Sequence, residues 1–95
     1  MLIQIQETPN KNSMKFIVEN EWTNFIWECK NENDAQKSLL AKKLWQINGI
    51  VYLLFGRRFV SITKNTNETW DELNSVIIEI VRCTSSPIFL SNASE

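Results

Sequence analysis

Val51-Tyr52-Leu53-Leu54-Phe55-Gly56-Arg57-Arg58-Phe59-Val60-Ser61-Ile62-Thr63-Lys64 holds two β-rich runs around a glycine-led turn. β-branched and aromatic residues suit a pleated, half-buried surface. Gly56-Arg57 between them suits a two-residue type II′ hairpin. A hairpin imposes antiparallel pairing, so this stretch sets an antiparallel sheet in the second half of the chain. Residues 65–68 are a polar loop, and Thr69-x-x-Glu72 has the form of a capping box that opens a helix. Trp70, Leu73, Val76, Ile77, Ile80 and Val81 fall on one stripe of that helix. Such a stripe needs cover, and a sheet face supplies it.

Upstream, Leu2, Gln4 and Gln6 alternate with Ile3, Ile5 and Glu7, the period of a strand. Thr8-Pro9-Asn10-Lys11-Asn12-Ser13 is turn chemistry, since proline fixes φ and asparagine bonds its own backbone. Residues 14–18 make a second strand, so 2–18 reads as a hairpin with a longer loop. Residues 19–24 are a loop, and 25–29 a third strand with Phe25, Trp27 and Cys29 on one face. Ala35, Leu39, Leu40, Leu44 and Ile47 recur at helical spacing, with Ser38 placed to cap a restart and Asn48-Gly49 as the stop. From Thr84 to Glu95 the period breaks, which predicts a tail or linker with a short apolar patch at 88–90. The order is β-β-β-α-β-β-α. It predicts a two-layer α+β domain: an antiparallel sheet of four to five strands with two helices on one face.

A chain of 95 residues is one domain with a modest core and little room for an enclosed active site. Its longest apolar run, 50–55, is strand-sized, well short of the ~18 residues of a membrane helix. The net charge of −1, with both signs interspersed, argues against nucleic acid as a partner. Met1 is followed by Leu-Ile-Gln-Ile-Gln, not by a basic-then-apolar leader. The expected compartment is therefore reducing: cytoplasm, or organelle matrix in a eukaryote, with Cys29 and Cys83 both free. There is no histidine, no G-x-S-x-G and no glycine cluster, so no catalytic residue is assigned and an enzyme is not expected.

An iron–sulfur centre takes four thiolates, and one chain offers two. Cys29 and Cys83 read as core or boundary residues and no metal ligand is assigned. The alternative is a homodimeric iron or cluster carrier using Cys29, Cys83 or both. Candidate partner-binding residues are Thr8, Pro9, Asn10, Asn12 and Ser13 in the loop, with Lys15, Arg57 and Arg58 adding positive charge. Turn chemistry alone explains the loop's residue types, while loops on rigid scaffolds commonly carry binding. Trp22 falls in a loop, where an exposed aromatic serves as an interface anchor.

Several runs together resemble the N-terminal domain of Nfu-type iron–sulfur scaffold proteins. Residues 1–16 are similar to that family's Q-rich strand followed by T-P-N-P-N-S-x-K-F. Ser38-Leu39-Leu40-Ala41 with Leu44, Ile47 and Gly49 resembles S-P-L-A-x-x-L-x-x-I-x-G-V. Phe55-Gly56, Phe59-Val60-Ser61-Ile62-Thr63-Lys64 and Trp70 resemble F-G-x-D-F-I-T-V-T-K and the tryptophan after it. The likeness spans residues 1–83, with 84–95 similar to the start of an interdomain linker. Lys11 stands at the second proline, which predicts a less rigid loop. Leu39 stands at the proline after Ser38, which predicts a helix running straight through. Arg57-Arg58 replaces Pro-Asp and reverses the charge there. Cluster-carrying members continue into a C-terminal domain with a C-x-x-C motif, which this sequence lacks. The resemblance implies a non-catalytic accessory module of iron–sulfur cluster assembly. Its partners would be cluster donors, apo-targets or a separate C-x-x-C protein. It would hold no cofactor itself, meeting a cluster only through a partner.

Overall fold

A computed structural model describes residues 3–19, 21–23 and 25–84. The elements are β1 (Ile3–Glu7), β2 (Ser13–Val18), β3 (Trp27–Cys29), α1 (Glu32–Ala35), α2 (Leu39–Trp45), β4 (Ile50–Gly56), β5 (Phe59–Lys64) and α3 (Trp70–Thr84). The five strands form one sheet in the order β1-β2-β5-β4-β3, antiparallel throughout. Two hairpins, β1–β2 and β4–β5, are joined at the centre by β2 against β5. This is the predicted α+β architecture.

The alternation within the strands decides which face is covered. β2 buries Met14, Phe16 and Val18, and β5 buries Val60, Ile62 and Lys64. Phe16 pairs with Val60, and Val60 with Phe55, so these side chains share one face. Leu40, Ala41 and Leu44 of α2 and Leu73, Ile77 and Val81 of α3 join them in a single core. The other face carries Lys15, Ile17, Tyr52, Leu54, Phe59, Ser61 and Thr63, all half-buried. β1 lies at the sheet edge. Ile3 packs against the core, while Ile5, opposite Phe16, is 41% exposed.

Three local expectations change. The first predicted helix is two helices, so the sheet carries three where two were expected. Asn31 caps α1 by accepting from Asp34 N, and the fully buried Ser38 caps α2 by accepting from Ala41 N. Ser38 is extended, with φ −141°, so the helix restarts at Leu39 instead of running through. Leu39 is the first helical position, where proline is equally at home, so the substitution leaves the break in place. The third strand begins at Trp27, leaving Phe25 and Ile26 outside it. At the β4–β5 hairpin, Gly56 pairs with Phe59, so Arg57-Arg58 are the turn residues. Gly49, at φ 98°, is the positive-φ glycine, and Gly56 is needed for space. A Cβ at Gly56 would land inside the Phe59 ring. The predicted tail, 84–95, starts at Thr84, which is instead the last residue of α3; residues 85–95, including the 88–90 patch, lie outside the described residues.

Gly56→Ala should destabilise the domain by about 1–3 kcal/mol in urea unfolding, by forcing Phe59 aside. In a Phe59→Ala background the same change should cost markedly less, because the obstructing ring is gone.

Candidate functional site

The loop at residues 8–13 is closed on itself and bolted to the sheet. Thr8 Oγ1 lies 2.8 Å from the Asn10 carbonyl and accepts from Asn10 N at 3.2 Å. Asn10 Oδ1 accepts from Asn12 N at 2.9 Å, an Asx turn. The Asn12 carbonyl accepts from Lys64 N at 2.8 Å, and Asn12 Oδ1 from Lys64 Nζ at 3.1 Å. Ser13 and Thr63 share a hydroxyl hydrogen bond of 2.7 Å. Trp70 Nε1 donates to the Lys11 carbonyl at 3.0 Å, tying the loop to the start of α3. Lys64 is only 8% exposed. Its ammonium also donates to the Asn65 carbonyl at 3.2 Å and lies 5.7 Å from the Trp70 ring centroid. Lys11 contributes its carbonyl, so this anchorage does not depend on a proline there. Pro9, Asn10 and Lys11 remain exposed. Lys64 was not singled out as an anchor, although a lysine at an inward position of the Val60, Ile62, Lys64 alternation is a visible signal.

The cationic candidates lie elsewhere. Ser13 faces Thr63 and Ile17 faces Phe59. The loop and the Arg57-Arg58 turn are thus at opposite ends of the β2–β5 pair, on the order of 15 Å apart. Lys15, on the open face, sets its ammonium 4.3 Å from the Phe59 ring centroid. Trp22 is half-buried and is not the exposed anchor that a loop position suggested. Its Nε1 donates to the Gly56 carbonyl at 2.8 Å, its backbone N to the Arg57 carbonyl at 2.9 Å, and its ring lies 6.1 Å from Phe55. The exposed apolar residues beside it are Phe25 and Ile26, at 46% and 71%. With Gly56, Arg57 and Phe59 they line a groove of about 400 Å³. Arg57 approaches Glu21 at 3.6 Å, with both side chains more than half exposed, a weak pair. Arg58 lines a separate pocket of about 220 Å³ with Gln4, Ile17, Val18 and Glu19. The sequence reading placed Phe25 in the third strand, on one face with Trp27 and Cys29. Its exposure follows from β3 starting two residues later.

The two thiols differ in kind. Cys29 is fully buried on β3. Burial, then the Asp34 carboxylate, push it up to about 11, against a lowering backbone hydrogen bond from Asn31. Cys83 is exposed near the end of α3, and a 3.4 Å hydrogen bond to Glu79 raises it above the usual thiol value. The thiolate is the metal ligand and the nucleophile, so both environments favour the less reactive form. Among the described residues no three or more His, Cys, Asp or Glu side chains gather as a metal site. No helix among them is long and apolar enough to cross a membrane.

The family described as "Scaffold protein Nfu/NifU N terminal" matches residues 3–86. NifU-like protein 5, mitochondrial, of Arabidopsis thaliana is 34% identical over 100 residues, covering 97% of this chain and 35% of that protein. The NFU1 iron-sulfur cluster scaffold homolog, mitochondrial, of Drosophila erecta is 31% identical over 83 residues, covering 85% and 29%. The chain thus spans about a third of the length of these relatives. Among solved structures, a NifU-like protein of Saccharomyces cerevisiae superposes with a TM-score of 0.72 at 23% identity, covering 96% of this chain and 85% of the other. At that identity the likeness shows the fold alone.

Asn12→Ala should destabilise by roughly 1.5–3 kcal/mol, because it strips an acceptor from a buried ammonium. Lys11→Ala, which keeps the carbonyl, should stay within about 0.5 kcal/mol; urea unfolding checks both. A thiol reagent at neutral pH should modify Cys83 in the folded protein and Cys29 only after unfolding. Cys29 holds its proton to about 11 when folded, against an ordinary value of 9.0. The unfolded chain therefore releases that proton first as pH rises. Cys29's contribution is fully present below the ordinary value and is lost between there and the raised one. Cys29→Ala should flatten that part of the stability–pH curve relative to wild type.

Proposed function

The chain belongs to the Nfu/NifU N-terminal scaffold family, and on that premise we propose that it is a non-catalytic, partner-binding module of iron–sulfur cluster assembly. The observation that supports this reading is how the side chains divide. The loop residues that resemble the family's signature are spent on internal hydrogen bonds to Lys64, Thr63 and Trp70. Exposed Phe25, Ile26 and Arg57, with half-buried Lys15, lie instead around Phe59. Mechanistically, the module holds a cluster donor or apo-target in place and performs no bond chemistry of its own. Thr8, Pro9, Asn10, Asn12, Ser13 and Trp22 act mainly by holding the scaffold rigid, while Lys15, Arg57 and Arg58 supply charge to the partner. Iron–sulfur cluster is cargo met through that partner, in the cytoplasm or an organelle matrix.

The competing reading, a homodimeric cluster carrier, draws support from the exposed thiol of Cys83. Four thiolates from two chains would need Cys29 as well, and at 0% exposure that side chain does not reach a neighbouring molecule.

Anaerobic reconstitution with iron and sulfide separates the two. The folded protein should hold no stable visible chromophore, and the triple variant Lys15→Ala, Arg57→Ala, Arg58→Ala should stay folded yet bind a purified cluster-assembly protein more weakly in calorimetry. A stable chromophore abolished by Cys83→Ser would replace this reading with the carrier.

A further inference from the structure

The open face of the sheet carries a feature that the family resemblance did not specify. Ile17 pairs with Phe59, and Phe59 with Gly56, so these residues form one cross-strand row at the hairpin end. Gly56 has no side chain, and the Phe59 ring lies over it. The result is a shallow apolar groove floored by Gly56 and Phe59 and walled by Phe25 and Ile26. Its volume of about 400 Å³ suits one or two apolar side chains.

The unengaged charges bordering this groove are cationic. Arg57 is its charged lining residue. Lys15 stands over Phe59 and makes no ion pair among the described residues. The Glu21 carboxylate touches only one edge of the Arg57 guanidinium, leaving further donors in the fork. Glu28, the acid of the next row, is taken up by Tyr52 Oη at 2.7 Å and by Lys30 at 3.9 Å. An occupant thus meets an apolar floor between two available cations. A second copy of this face would offer Arg57 and Lys15 only the same two cations and the acids Glu21 and Glu28, which are already engaged.

From this juxtaposition we infer that the groove binds an extended polypeptide segment in which apolar side chains alternate with carboxylates. The apolar side chains fill the space between Ile26 and Phe59, and the carboxylates meet Arg57 and Lys15. This deepens the partner-binding reading and rests on it, since it names the surface and the chemistry of what docks there.

The test titrates the isotope-labelled full chain with a synthetic ten-residue peptide alternating leucine and aspartate, followed by amide shifts. A leucine–lysine peptide of the same length is the control. The aspartate peptide should shift Lys15, Ile26, Arg57 and Phe59 and bind more weakly as salt rises. Ile26→Ser and Arg57→Glu, both at exposed positions, should each weaken it by about fivefold or more while the remaining spectrum stays native. Equal binding of the lysine peptide, shifts centred on residues 8–13, or no binding at millimolar peptide would each overturn the inference. So would a concentration-dependent dimer that Ile26→Ser dissolves, which would make the occupant a second copy. Calorimetry against a purified cluster-assembly protein separates the two levels. Equal binding by wild type and Ile26→Ser removes this groove and leaves the partner-binding reading standing. No binding by wild type removes that reading itself.

Discussion

The structure depends on the pairing of β2 with β5. These strands are far apart in sequence, and their contact joins two hairpins that would each be marginal alone. The register is held at both ends. At one end Asn12 receives both the backbone N and the ammonium of Lys64. At the other, Val18 N donates to the Arg58 carbonyl at 2.7 Å and Trp22 grips the hairpin tip through Gly56 and Arg57. A one-residue slip of β2 would turn Phe16 outward and Lys15 into the core, and a slip of β5 would turn Val60 and Ile62 outward and Ser61 and Thr63 inward. Burying Lys64 is tolerable because its ammonium keeps two carbonyl-type acceptors and an aromatic neighbour.

That register divides the sheet into a structural face and an available face. The helices occupy the side of Phe16, Leu53, Phe55 and Val60, together with the Cys29 thiol. The opposite side keeps its aromatic, aliphatic and cationic groups half-exposed. The departures from the resembled family fall where this division accommodates them. Lys11 lends only a carbonyl, Leu39 sits at a first helical position, and the two arginines form a solvent-facing turn beside the groove.

The element order, the two hairpins, the apolar stripe of α3 and the loop chemistry at 8–13 were all legible in the residues. Each rests on local physics: period two, period 3.6, or turn residues with restricted dihedrals. Ser38 was legible as the cap of a restart, while Leu39 in place of the resembled proline pointed to a continuous helix; the extended backbone of Ser38 decided for the break. Gly56 was misassigned as a turn residue. A glycine beside a turn is normally read as supplying φ, and here it supplies space for the ring of Phe59, three residues later.

By itself the sequence determined the period of each strand and helix and most of the inward stripe of α3, Leu73, Ile77 and Val81, because burial follows a period that can be counted; Val76, on that stripe by spacing, is 45% exposed. It also showed two widely spaced cysteines, no histidine and no G-x-S-x-G. Only the tertiary structure decided that β2 lies against β5, which places the loop at 8–13 far from the arginine turn. It turned Trp22 into a clamp and left Phe25 and Ile26 as the exposed apolar pair. It also buried one thiol and exposed the other. These outcomes depend on contacts between residues distant in the chain, such as Asn12 with Lys64 and Trp22 with Gly56. No local periodicity encodes such contacts.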